Sequence, residues 1–140
     1  MHKFLLYISL FFTSFSYAQN TGNLILNFDN SFDKKGNFIV YMYNSEKGFP
    51  TKKELCYKKI VTQNKGQNQL IINNLKFNDY AIILVFDENE NQKMDRNWLG
   101  LPAEKYALSG QPKFHFGPPV FNEVKFRFNR NNQKIFLAFN

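Results

Sequence analysis

Asp87, Asn89, Asn91 and Asp95 put oxygen-bearing side chains at the first, third, fifth and ninth places of the run D-E-N-E-N-Q-K-M-D, which directly follows the apolar segment Tyr80 to Phe86. Alternate residues of a turning backbone point inward, so this is the ligand spacing of a loop that wraps a hard cation. With the main-chain carbonyl of Lys93, the four side chains would supply five oxygens, and calcium takes roughly six to eight. Water or a distant carboxylate would complete the shell, and Glu104 is the nearest plausible carboxylate. The twelfth place, where an EF-hand has a bidentate glutamate, is Trp98, so the loop is not an EF-hand. With only two formal charges among the ligands, the expected Ca2+ affinity is in the weak extracellular range, about 0.1 to 1 mM, and its role structural. The metal-free alternative is a turn whose Asp and Asn side chains bond their own backbone amides.

Other chemistry has less to stand on. Hydrolysis of an envelope polysaccharide can be written with Asp87 and Asp95, or with Glu104 and His115, but nothing beyond composition singles out either pair. No serine or cysteine sits in a nucleophile motif, and no glycine-rich phosphate loop is present. Zinc would need carboxylates beside the single histidine, His115, and the single cysteine, Cys56, of the exported chain. Cys56 reads as a half-buried small hydrophobe and His115 as a strand residue with a satisfied ring nitrogen. Trp98, the only tryptophan, has two readings: an aromatic plug beneath the loop, or a surface that stacks on a sugar ring. In the second, Trp98 and Tyr106 form the candidate binding face for an envelope glycan or protein.

The elements that must position these groups have a period of two. Leu24, Leu26 and Phe28 alternate with polar residues, as do Val124, Phe126 and Phe128, and again Ile135, Leu137 and Phe139. Phe38 to Tyr43 and Tyr80 to Phe86 are continuous apolar runs, expected of central strands buried on both faces. Leu70 to Ile72 and Lys58 to Thr62 bring the expected count to seven strands. Turn signals separate most of them, and no convincing amphipathic helix intervenes, although Thr51 to Cys56 suits a helical turn. An all-β, antiparallel, seven-stranded β-sandwich follows, with one long ordered loop from Asp87 to Val120.

Met1 to Lys3 is a basic start, Phe4 to Phe12 is apolar, and Ser16-Tyr17-Ala18 offers small residues where a signal peptidase cuts. The expectation is a signal peptide over residues 1–18 and a single domain over 19–140, delivered to the periplasm or secreted. The apolar run is too short for a comfortable membrane span. The 18 Lys plus Arg against 11 Asp plus Glu give +7, and loss of Lys3 leaves +6. These charges lie in scattered doublets such as Lys34-Lys35 and Lys58-Lys59, so they read as solvated surface, and an exported chain meets little nucleic acid.

Gly48-Phe49-Pro50, Asp79-Tyr80-Ala81, the acidic loop, Asn97 to Glu104 with its G-x-P-x-E, and Phe116-Gly117-Pro118-Pro119-Val120-Phe121 together resemble an exported bacterial family, domain of unknown function twenty-one forty-one. That resemblance implies an immunoglobulin-like or transthyretin-like sandwich outside the cytoplasm and no established activity. The family pattern has glycine at the sixth loop place, where this chain has Gln92, and glycine after a tyrosine that here is followed by Ala107. A residue with a Cβ at such a tight position costs on the order of 1 kcal/mol.

Overall fold

Side chains that alternate between apolar and polar select extended backbone, because a strand turns successive residues to opposite faces. A computed structural model of the chain describes residues 20–30, 34–64, 66–110, 112 and 117–139, and among these it forms eight strands and one short α-helix. The strands are β1 (Thr21–Phe28), β2 (Asn37–Tyr43), β3 (Tyr57–Thr62), β4 (Gln69–Lys76), β5 (Asn78–Asp87), β6 (Tyr106–Leu108), β7 (Phe126–Phe128) and β8 (Gln133–Leu137). Helix α1 (Phe121–Val124) precedes β7. One sheet has the order β4-β1-β8, the other β3-β2-β5-β6, with β7 paired to the start of β5. Phe77 alone separates β4 from β5, so the chain changes sheets at one residue.

The two continuous apolar runs become β2 and β5, the central pair of the larger sheet. Their inward residues Phe38, Val40, Met42, Ile82, Leu84 and Phe86 meet Leu24, Leu26, Phe28, Leu70 and Ile72 of the smaller sheet in the main core. Aromatic rings fill it: Phe38 lies 4.7 Å from Phe28 and 5.5 Å from Phe86 between centroids. Their outward residues Ile39, Tyr41, Tyr43, Ala81, Ile83 and Val85 are also buried, under α1 and the segments carrying Phe49, Leu55, Met94 and Tyr106. Phe49 stands edge-on to Tyr43 at 5.0 Å and to Phe121 at 5.9 Å. The larger sheet therefore has a second, outer core, and the long loop after β5 is part of its lid.

Several expectations need correction. The sandwich has eight strands, not seven, because β6 lies inside the connection read as a loop. Three residues, Tyr106, Ala107 and Leu108, carry no periodic signal of their own and are held by pairing with Val85, Leu84 and Ile83. The arrangement is not wholly antiparallel, since β8 runs parallel to β1. Side-chain alternation is the same for either direction, so the sequence pattern does not distinguish them. The run expected as one strand from Val124 to Phe128 is divided between α1 and β7. Phe121 and Val124, three apart, both bury against the outer core, a spacing that one helical turn satisfies and a strand does not. Thr51 to Cys56 does contain a helical turn, a 3-10 turn over Lys52–Glu54, and Cys56 is exposed instead of half-buried. Residues 1–18, with their expected signal peptide, and His115 with its neighbours Phe114 and Phe116, lie outside the described residues. Among the described residues no helix is long and apolar enough to cross a membrane.

Candidate functional site

Strand β5 ends on Asp87, which pairs with Asn37 of β2 and is the one fully buried charged residue among those described. A buried carboxylate requires donors. Its Oδ1 accepts the Asn91 amide at 3.1 Å and its Oδ2 the Gln92 amide at 2.8 Å, so one side chain bends the whole loop back over the strand end. The neighbouring backbone passes so close that a Cβ on Gly36 would sit 2.7 Å from the Asp87 carbonyl oxygen, which reserves that position for glycine. Gln92, at the place where the family has glycine, takes a φ of 65°, the left-handed conformation that glycine adopts without strain.

The other loop side chains converge on Asp95. Asn89 and Asn91 each accept an amide two residues on, and each directs its side-chain Nδ2 to Asp95 Oδ2 at 2.7 Å. Asp95 in turn donates its amide to Glu104 Oε2 at 3.1 Å. Glu104 Oε1 is buried and makes no hydrogen bond of normal geometry, although the Glu88 amide lies near enough to favour its charge. Burial first, then the charges of Asp87 and Asp95, push the Glu104 carboxyl above the ordinary glutamate range. Asp87 and Glu104 also act on the Tyr41 hydroxyl, whose pKa is raised chiefly by burial. Three carboxyl groups thus share one end of the sheet. Two cations reach this loop: Lys34 Nζ pairs with Glu88 Oε2 at 2.7 Å, and Lys58 Nζ donates to the Gln92 carbonyl at 3.1 Å and lies 5.6 Å from the Tyr41 ring centre.

Asp87, Asn89, Asn91 and Asp95 are brought together by this network, while Lys93 is exposed and donates its amide to Asn91. No group of three or more His, Cys, Asp or Glu among the described residues has the arrangement of a ready metal site. The Oδ1 atoms of Asn89 and Asn91 are engaged by the Asn91 and Lys93 amides, and their Nδ2 groups face Asp95.

Beyond Asp95 the chain forms a small hairpin. Ala103 donates to the Asp95 carbonyl at 2.9 Å, Asn97 to Leu101 at 2.8 Å, and Arg96 bridges Pro102. Asn97 Oδ1 accepts the amides of Leu99 and Leu101, each at 3.0 Å, and Gly100 makes the turn with a φ of 77°. The tip carries Trp98, which is 91 % exposed. The reading of Trp98 as a plug beneath the loop is thereby overturned: the turn closed by Asn97 points it outward. Tyr106 is half-buried in the outer core, paired with Val85, and is not at the tip with Trp98.

One feature has no signal in the sequence. A groove of about 450 Å³ opens on the outer face, lined by Tyr41, Tyr43, Pro50, Thr51, Ile83, Met94 and Arg96. Tyr43 donates to the Pro50 carbonyl at 3.2 Å, and burial with the nearby Tyr41 pushes its hydroxyl up to about 12, against a lowering influence of Arg96. The groove joins residues from four separate stretches of chain, so no local motif announces it. Ser109 is a second residue that the sequence does not flag. Its hydroxyl accepts the Ile82 amide at 2.9 Å and donates to the Val124 carbonyl at 2.6 Å, tying β5 to α1.

No curated protein and no solved structure matches the chain. The profile of one family, described as an uncharacterized protein conserved in bacteria, matches residues 26–136. Those bounds run from within β1 to within β8 and take in the acidic loop, the hairpin and the outer groove. The chain belongs to this bacterial family, DUF2141.

Proposed function

We propose that the protein is a non-catalytic module outside the cytoplasm, released by cleavage of the signal peptide over residues 1–18, that binds a component of the cell envelope through the hairpin after its acidic loop. The observation that carries this reading is the exposure of Trp98, at 91 %, beside Leu99 at 60 % and Leu101 at 57 %, on a turn whose backbone bonds are closed internally. Apolar groups held in water by a rigid support are what a binding surface presents. Beneath them, the acidic loop is a structural base that a weakly bound calcium ion strengthens. Hydrolysis through the same acids is less well supported, because Asp87 is wholly buried and both of its oxygens are occupied by backbone amides. The experiment is sedimentation of the exported protein with isolated bacterial envelopes. Trp98→Ala is expected to reduce the bound fraction about tenfold while leaving the melting temperature unchanged, as loss of one buried aromatic contact implies. Equal binding by the variant would contradict the reading.

Glu104 supplies a pH dependence. Its pKa in the folded protein is raised, so the folded state favours the protonated acid. The associated stability is complete below the ordinary glutamate range and is lost as pH rises through the raised value. In chelator, Glu104→Gln lacks this loss and keeps an oxygen for the Asp95 amide. The melting temperature of the wild type relative to Glu104→Gln is expected to fall as pH rises above the ordinary glutamate range. Parallel pH profiles of the two proteins would contradict this.

A further inference from the structure

Seven large apolar side chains stand exposed among the described residues, and three of them, Trp98, Leu99 and Leu101, fall within four positions of the hairpin tip. None of the three lines the groove on the outer face. Part of the tip's polar backbone is paired within the turn. Leu99 and Leu101 donate to Asn97 Oδ1, Gly100 donates to the Asn97 carbonyl, and Asn97 donates to the Leu101 carbonyl. The Gly100 carbonyl accepts Arg96 Nη1 at 2.7 Å. A glycan is recognised through available donors and acceptors, and the Leu99, Gly100 and Leu101 amides and the Gly100 carbonyl are committed within the turn. Backbone groups paired in this way can enter an apolar medium without stranding hydrogen bonds.

Charge favours one such medium. Lys93, Arg96 and Lys105, all exposed, flank the tip in sequence, against Glu90 and a Glu88 that is paired with Lys34 at 2.7 Å. The acids Asp87, Asp95 and Glu104 are buried or half-buried at the base, and the whole chain carries +7. Tryptophan and leucine ringed by Lys and Arg suit the boundary between lipid headgroups and acyl chains.

We infer that the hairpin over residues 95–103 is an interfacial membrane anchor, with Trp98, Leu99 and Leu101 entering the surface of an anionic phospholipid bilayer and Lys93, Arg96 and Lys105 facing the headgroups. This rests on the reading of the hairpin as the binding element and names its partner. The protein lies on the bilayer and does not span it. A few apolar side chains give weak, reversible attachment that salt weakens further.

Trp98, as the sole tryptophan, reports directly on the tip. The exported protein is titrated with vesicles of phosphatidylglycerol and phosphatidylethanolamine, with vesicles of phosphatidylcholine, and with lipid-free peptidoglycan sacculi, following tryptophan emission and co-sedimentation. Anionic vesicles are expected to shift Trp98 emission to the blue and to sediment the protein. The doubly substituted Leu99→Asn, Leu101→Asn protein keeps the reporter and an unchanged melt, and is expected to partition at least about tenfold less. Neither a shift nor sedimentation with anionic vesicles overturns the inference. Should sacculi alone produce the shift, the membrane assignment fails and the binding-module reading stands. Absence of binding to vesicles, sacculi and whole envelopes alike removes both.

Discussion

Phe38→Ala is expected to lower folding stability by about 4 kcal/mol, the largest effect of any single truncation considered. Phe38 is fully buried on the inward face of β2, with ring centroids of Phe28, Phe86 and Phe139 at 4.7, 5.5 and 6.2 Å. It touches both sheets, so its removal opens a cavity between layers that cannot collapse without moving strands. A domain of this size has roughly 5 to 15 kcal/mol in all, and no internal disulfide is available from Cys56 alone. The variant should therefore unfold at a much lower urea concentration with an unchanged slope. A loss under about 1 kcal/mol would mean that the two sheets do not meet at this ring.

Asp87→Ala is the second large effect, expected to cost about 3 kcal/mol and to lower the melting temperature by about 10 °C. The reason differs from Phe38. Alanine leaves the Asn91 and Gln92 amides without their acceptors, at 3.1 and 2.8 Å in the native loop, and Gln92 is held at a φ of 65° that only such bonds justify. Asp87→Asn keeps one acceptor oxygen and sets an N–H donor against the other amide, so it should fall between wild type and alanine. Circular dichroism melts of the three proteins measure this directly. Were Asp87 a catalytic group instead of a structural one, the alanine variant would melt with the wild type.

The sequence made some of this legible and concealed the rest for definite reasons. The run from Tyr80 to Phe86 announces a doubly buried central strand because seven successive residues tolerate no water, and β5 is such a strand. The acidic loop is legible because its spacing is local: Asp87, Asn89 and Asn91 each reach an amide two to five residues on. Gln92 was marked by the family's glycine, and its positive φ is the torsion that glycine supplies. Trp98 was not legible. Its direction depends on Asn97 closing a turn with Leu99 and Leu101, and a side chain in a loop has no period from which to read a face. The hairpin hidden in the long connection, β6 and the groove at Tyr41 and Arg96 share that property. The hairpin is local but aperiodic, whereas β6 and the groove exist only through partners distant in the chain, such as Ile83 to Val85 for β6. For α1, alternation through Val124 competes with burial of Phe121 three residues earlier, and tertiary burial decides.

Asp87, Asp95 and Glu104 form a clamp at one end of the sandwich, where burial first, and the Asp87 and Asp95 charges second, raise the Glu104 pKa. A hard cation bound there, as proposed, would offset the charge of these acids, and Ca2+ suits oxygen ligands on a loop of this kind more readily than the smaller Mg2+. The direct measurement is a thermal melt of the exported protein and of Glu104→Gln at neutral pH, in millimolar calcium, in magnesium and in chelator. The account expects calcium to raise the wild-type melting temperature by several degrees, magnesium to do less, and the variant to lose most of the response. Superimposable wild-type melts in calcium and chelator would contradict it.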